Sequence, residues 1–163
     1  DIREFAGWIR RKVEGADLFL MLEPGRSIVG EAGALLTRVL YRKRTPSREF
    51  IVVDAAMTDL IRPSLYQSYH EILPVRRSSR GTVLADVVGP VCESGDFLAL
   101  DREMPNVLPG DLLAVCTAGA YGFVLSSNYN ARPRPPEILV EGDAWRTVRV
   151  RETFEDLIRG ESL

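Results

Sequence analysis

Lysine is nearly absent from this sequence: of 21 basic residues, only Lys12 and Lys43 are lysines. Chemistry that needs a side-chain amine has just those two candidates. Histidine occurs once, at His70, and cysteine twice, at Cys92 and Cys116. Two cysteines far apart make no disulfide framework, and no Cys/His cluster has the spacing of zinc ligands. No metal site is therefore expected, and a reduced, cytoplasmic setting is. Apolar runs are short. None approaches the roughly 20 residues of a membrane span, and no signal-like segment opens the chain, so no membrane association is expected. The formal net charge of -2 leaves no electrostatic footprint for nucleic acid. With 163 residues, the chain is too short for a complete (β/α)8 barrel, which takes roughly 250. What is present is ordinary globular material, 45% hydrophobic and 27% charged, apolar enough to build a core and to exclude disorder.

The periodicity changes along the chain. Ile2, Phe5, Ile9 and Val13 recur at helical spacing, and Gly15 stands where a left-handed cap would end that helix. The run Leu18-Phe19-Leu20-Met21-Leu22 suits a strand buried on both faces, as in a parallel sheet. Glu23-Pro24-Gly25-Arg26 follows as a loop, and Ser27 is placed to cap a second helix reaching about Leu36. After about Thr37, short apolar runs alternate with turn residues, at 39–41, 50–53, 83–91, 97–100 and 111–116. Asp101-Arg102 and Pro109-Gly110-Asp111 read as turns. Gly142-Asp143 reads as the tip of a hairpin, and 153–160 as a short capped helix. The expected fold is mainly β with an α/β remnant. Residues 1–36 would be the last strand–helix unit of an incomplete (β/α)8 barrel, and residues 37–163 a C-terminal β-sandwich or Greek-key barrel domain.

Four clusters could carry chemistry. Glu23-Pro24-Gly25-Arg26 lies where a barrel strand releases its loop, the face on which barrel sites gather. There a glycine admits close ligand approach, an arginine offers a planar fork to phosphate or carboxylate, and a carboxylate can keep a heteroaromatic nitrogen protonated. In Asp59-Leu60-Ile61-Arg62-Pro63-Ser64-Leu65-Tyr66, the proline suggests a helical turn beginning there, with Arg62 just before it and Tyr66 one turn on, facing one cavity. Gly89-Pro90-Val91-Cys92-Glu93-Ser94-Gly95-Asp96 sets a thiol beside a carboxylate on turn backbone, and a thiol is an effective proton donor when its pKa lies near the operating pH. Gly119-Ala120-Tyr121-Gly122 frees an aromatic ring and hydroxyl among small residues, ahead of Ser126-Ser127-Asn128-Tyr129-Asn130. His70 and Cys116 read as structural.

Taken together, EPGRSIVGEAG, DLIRPSLYQSYHEI, VVGPVCESGDFLA, GAYGFVLSSNYN and ARPRP resemble the C-terminal part of the diaminopimelate decarboxylase family, pyridoxal-phosphate enzymes of the alanine racemase-like fold group. The resemblance covers essentially the whole chain, whereas the related ornithine and arginine decarboxylases look different around the Cys and the Tyr. It implies a pyridoxal 5'-phosphate cofactor and decarboxylation of meso-diaminopimelate to L-lysine. Glu23 would face the pyridine nitrogen, with Pro24, Gly25 and Arg26 at the cofactor and Arg26 also near substrate. Arg62, Tyr66 and Glu93 match substrate-binding positions, Tyr121 touches both cofactor and substrate, and Cys92 matches the proton donor to the α-carbon. A homodimer with a shared active site is implied, because in the family the Cys loop enters the partner's site. Glu93 and Arg62 also supply the two charges that a distal amine and carboxylate require.

The family's cofactor-bonding lysine, phosphate-binding glycines and ring-stacking histidine have no match here. Lys12 stands beside Arg10 and Arg11, and Lys43 between Arg42 and Arg44, as solvated charges do. Two alternatives stay open: a non-enzymatic dimerisation or interaction module derived from this fold, and a related basic amino-acid decarboxylase. The isolated 163-residue chain is predicted not to turn over substrate. Incubation with pyridoxal phosphate, borohydride trapping and mass spectrometry should give no stoichiometric lysine adduct and no CO2. A specific adduct with CO2 release would contradict this.

Overall fold

The computed structural model describes residues 2–162. Its element order is α1 (Ile2–Val13), β1 (Leu35–Arg44), β2 (Glu49–Val53), α2 (Arg62–Tyr66), β3 (Ile72–Pro74), β4 (Thr82–Val88), β5 (Phe97–Pro105), β6 (Leu112–Val115), β7 (Glu137–Glu141), β8 (Ala144–Arg149) and α3 (Phe154–Leu157). Strands dominate, as the alternating pattern after Thr37 requires. Six of them form one sheet in the order β3-β6-β1-β2-β4-β5, and β7 and β8 form a separate hairpin. None of the described helices is long and apolar enough to cross a membrane.

The ten-residue β1 is the spine of the sheet. Its first half pairs antiparallel with β6, and its second half pairs antiparallel with β2 after a register shift between Val39 and Tyr41. One strand thus serves two stretches of sheet, and the irregularity bends it between them. The strands β2 and β4 pair in parallel, so the chain must leave the sheet and cross over between them. That crossover, 54–81, carries α2 and β3. The sheet is nearly closed, because its edge strands β3 and β5 come together. Arg102 of β5 donates to the His70 carbonyl just ahead of β3, and its guanidinium lies 4.2 Å from the Tyr69 ring centroid. Val39, Ile51, Val53, Leu60, Val87, Leu98, Met104, Leu113 and Val115 fill the interior.

Turn chemistry follows the sequence in places. Gly142 takes a left-handed φ of 61° at the tip of the β7–β8 hairpin. Thr153 and Asp156 form a reciprocal capping box at the start of α3. Gly15 has φ 79° just beyond α1, as a left-handed cap requires.

Three expectations need correction. The run Leu18 to Leu22 forms no strand, and all five side chains are exposed. A strand exists only by pairing, and this run finds no partner strand among the described residues. The helix expected from Ser27 to about Leu36 is instead two single 3-10 turns, Gly25–Ser27 and Gly30–Ala32, followed by β1. Gly30 and Gly33 are poor helix formers. Their carbonyls accept from Gly119 and Ala118, and Leu35 onward is claimed by β6. The Ser27 hydroxyl donates to the Pro24 carbonyl rather than capping a helix. Finally, Asp101-Arg102 is no chain reversal: β5 runs through it as an irregularity, with Asp101 at φ 45° and its N–H donated to the Asp86 carboxylate at 2.7 Å. Asp tolerates that conformation better than most residues.

Glu152 ties the loop after Asn128 to the start of the α3 segment. It accepts from the Arg134 backbone N–H at 2.8 Å, Arg134 Nε at 2.7 Å and Asn128 Nδ2 at 2.7 Å. The Arg134 guanidinium leads these partners in holding its carboxyl at about 2, against an ordinary 4.5. A depressed carboxylate stabilises the fold above the unfolded-state value and ceases to do so as pH falls through the folded one. The thermal midpoint of the wild type should therefore exceed that of Glu152→Gln near neutrality, and the gap should shrink between pH 4.5 and about 2. A gap independent of pH would contradict the assignment.

Candidate functional site

The Pro63 signal is realised. The helix α2 begins at Arg62 with Pro63 in its first turn, where a missing N–H costs nothing. Gln67 closes it in the left-handed region at φ 53°, its N–H donated to the Arg62 carbonyl. One turn of helix brings Arg62 and Tyr66 to one face, with the guanidinium carbon 5.9 Å from the Tyr66 ring centroid. The Tyr121 ring centroid lies at the same distance of 5.9 Å. Arg62 also donates to Ser68 Oγ at 3.1 Å, whereas its Nε is buried without a partner. A buried donor left unmade costs about 1–3 kcal/mol. An arginine within cation–π reach of two aromatic rings, with no carboxylate of its own chain paired to it among the described residues, is a receptor for a carboxylate or phosphate.

Tyr121 is held there under strain, at φ 58°, a conformation that bulky residues avoid. Its flanks account for this. A side chain on Gly119 would reach within 2.0 Å of the Val29 carbonyl, and one on Gly33 within 2.5 Å of the Gly119 Cα. The GRSIVGEAG and GAYG segments therefore lie backbone against backbone, joined by the Gly119 N–H to the Gly30 carbonyl at 3.0 Å and the Ala118 N–H to the Gly33 carbonyl at 2.8 Å. This contact carries the Glu23-Pro24-Gly25-Arg26 loop to the Tyr121 side of the sheet. Gly25 takes φ 56° with open space where a Cβ would stand, and Glu23 and Arg26 are exposed.

His70 is buried beneath this region, its Nδ1 donating to the Cys116 carbonyl at 2.9 Å. Burial holds its pKa below the ordinary histidine value of 6.5; the Cys116 carbonyl opposes that shift, and Arg62, Arg26 and Arg102 add to it. Burial thus favours the neutral imidazole, and the three arginines around it make the neighbourhood electropositive.

Cys92 and Glu93 occupy a separate place, the turn between β4 and β5. Cys92, Glu93 and Ser94 are exposed. The base of the turn is closed by the Gly89 N–H to the Asp96 carbonyl at 3.1 Å. Glu93 accepts from the Tyr129 hydroxyl at 3.3 Å and from the Gly95 N–H at 3.3 Å. The structure thus assembles two groups, Arg62 with Tyr66 and Tyr121, and Cys92 with Glu93. No hydrogen bond joins the two among the described residues, and Glu23 and Arg26 make no ion pair with either. Sequence reasoning gave no role to Tyr129, although it follows GAYG within SSNYN, nor to Asp96, the last residue of CESGD. A buried acid after a glycine in a turn was the available signal.

Nearly all of this geometry falls within the 102 residues from Leu18 to Gly119 that match the family model of the pyridoxal-dependent decarboxylase C-terminal sheet domain, residues 18–119. The chain belongs to that family. A diaminopimelate decarboxylase of Pseudomonas aeruginosa is 56% identical over 155 residues, 95% of this chain and 37% of that protein. One from Aquifex aeolicus is 50% identical over 156 residues, again with 37% of its length covered. The crystal structure of diaminopimelate decarboxylase from Helicobacter pylori complexed with L-lysine superposes with a TM-score of 0.87 at 44% identity, covering 98% of this chain and 39% of that one. The chain therefore spans well under half the length of these relatives.

Proposed function

We propose that this chain is the C-terminal part of a cytoplasmic, pyridoxal-phosphate-dependent carboxy-lyase that converts meso-diaminopimelate to L-lysine and CO2, the closing reaction of lysine biosynthesis. In this reading residues 1–36 belong to the end of an α/β barrel and residues 37–163 to the sheet domain. The observation that carries it is the Arg62 cluster, a half-buried guanidinium 5.9 Å from both the Tyr66 and the Tyr121 ring centroids. High identity to named diaminopimelate decarboxylases supports it, and two free cysteines suit a reducing compartment.

The residues present fit one side of a cofactor site. Glu23 offers an exposed acceptor for a protonated ring nitrogen. The open backbone at Gly25, following Pro24, and the Arg26 guanidinium offer donors to a phosphate. Tyr121 borders both cofactor and substrate. Lys12 lies 5.7 Å from the Trp8 ring centroid on exposed α1, and Lys43 lies in β1, so the attachment lysine would come from elsewhere in the longer protein. When bound, the cofactor supplies an electron-withdrawing ring that accepts the electron pair left on Cα as CO2 departs.

The chain's own groups read the substrate and complete the proton balance. Arg62, with Tyr66 beside it, pairs with the distal carboxylate, Arg26 adds a second cation for substrate, and Glu93 pairs with the distal ammonium. A substrate lacking the distal carboxylate leaves Arg62 buried and unpaired, which is costly. After the bond from Cα to the carboxylate carbon breaks, the Cys92 thiol donates its proton to Cα and the new C–H bond forms. The turn bearing Cys92 projects from the sheet with an exposed tip. We propose that it reaches the active site of a second copy, so that each site combines Arg62, Tyr66 and Tyr121 with the partner subunit's Cys92 and Glu93.

In the full-length protein, Arg62→Met should lower kcat/KM for meso-diaminopimelate by about 10²–10³-fold, as removal of one partner of a buried charge pair does. Unchanged turnover would overturn the substrate assignment. Cys92→Ala should lower kcat by about 10²–10⁴-fold, the usual worth of a positioned general acid, with little change in KM. A loss confined to KM would remove Cys92 from the proton step. Both are measured by CO2 release and lysine formation.

A further inference from the structure

Asp96 is buried, although it ends an exposed turn. Its two carboxylate oxygens do different things. Oδ2 accepts the Val91 N–H at 2.6 Å, inside the turn that bears Cys92 and Glu93, and Oδ1 accepts the Met57 N–H at 2.6 Å, in the segment that leads into α2. We propose that Asp96 is a positioning residue for the decarboxylation, a bolt that fixes the reach of the Cys92–Glu93 turn against the segment carrying Arg62. The proposal rests on the functional reading above for the roles of Cys92 and Glu93, and it assigns Asp96 no contact with substrate.

The packing around the carboxylate is built for this geometry. A Cβ on Gly89 would stand 2.4 and 2.6 Å from the Asp96 oxygens and 2.7 Å from the Ala55 carbonyl, so the carboxylate seats only against a glycine. A Cβ on Gly95 would stand 2.8 Å from Ser64 Oγ, which lays the far side of the turn directly on α2. Three segments therefore meet here without side-chain padding: the approach to α2, α2 itself and the turn. Burial pushes the Asp96 carboxyl above its ordinary value, whereas the Met57 and Val91 N–H groups and then Arg132 pull it back.

A carboxylate suits this joint and an amide does not. Two backbone donors converge on two acceptors, whereas asparagine can meet only one and turns its own N–H toward the other. Loss of the bolt would let the tip of the turn shift by a fraction of an ångström to an ångström. A misplacement of about 1 Å can cost about 10²-fold in rate.

The test uses the full-length holoenzyme and its Asp96→Asn variant. The expected result is a fall of about 10²-fold in kcat/KM for meso-diaminopimelate, expressed mainly in kcat, with no recovery at higher enzyme concentration. An unchanged kcat would overturn the proposal. Activity restored by concentrating the enzyme would also overturn it, because Asp96 would then only hold subunits together. A second readout does not depend on turnover: backbone amide exchange at Val91 and Met57. In the wild type both amides should be protected like those of β4 and β5, and Asp96→Asn should release at least Val91 while β4 stays protected. Rapid exchange at Val91 in the wild type would overturn the proposal even where the variant fails to fold. If the wild type releases no CO2 from meso-diaminopimelate, the functional reading fails while the exchange measurement still decides the bolt.

Discussion

The parallel pairing of β2 with β4 is the constraint on which the rest of this structure depends. Parallel neighbours cannot be joined by a tight turn, so the chain must make an excursion between them. That excursion does three jobs. It carries α2, and with it Arg62 and Tyr66. It buries His70 against the Cys116 carbonyl. It also returns as β3, which meets β6 on one side and comes up to β5 on the other. Closure of the sheet and delivery of the arginine are thus consequences of one topological choice.

Two close backbone approaches then place the remaining groups. Gly33 against Gly119 packs the segment that follows the Glu23-to-Arg26 loop on the one that leads into Tyr121, and Gly89 and Gly95 let the Cys92 turn settle on Asp96 and α2. At Gly33, Gly119 and Gly89 a β-carbon would stand against backbone within 2.0 to 2.8 Å, which nothing nearby can relieve. Apart from Arg62 and Tyr66 on α2, the candidate side chains sit on loops that are clamped by close backbone contacts. The strained Tyr121 is affordable because its flanking segment cannot relax without separating from Gly33.

The sequence was legible where a residue's own chemistry decides the local backbone. Pro63 started a helix, Gly142 turned a hairpin, Thr153 capped α3, and the alternating runs after Thr37 became strands. Of the candidate clusters, the nearness of Arg62 and Tyr66 was legible from helical spacing, whereas the nearness of Tyr121 to Arg62 was not. It misled where a partner decides. The run Leu18 to Leu22 reads as a strand and has none to pair with among the described residues. The residues after Ser27 read as helix until β6 and Gly119 claim their backbone, and Asp101-Arg102 reads as a turn although β4 keeps it in the sheet.

By itself, then, the sequence determined the shortage of lysine and the mainly β class, and it marked the candidate reactive groups, because composition, periodicity and turn preference are local properties. Only the tertiary structure decided that Tyr121 joins Tyr66 near Arg62, that Cys92 rides on a separate exposed turn, and that Asp96 joins that turn to the segment leading into Arg62. The Met57–Asp96 link joins residues 39 positions apart in the chain, and such relations are set by sheet pairing and by glycine contacts between distant segments. No local propensity encodes such a distance, since it arises only when the whole sheet is closed.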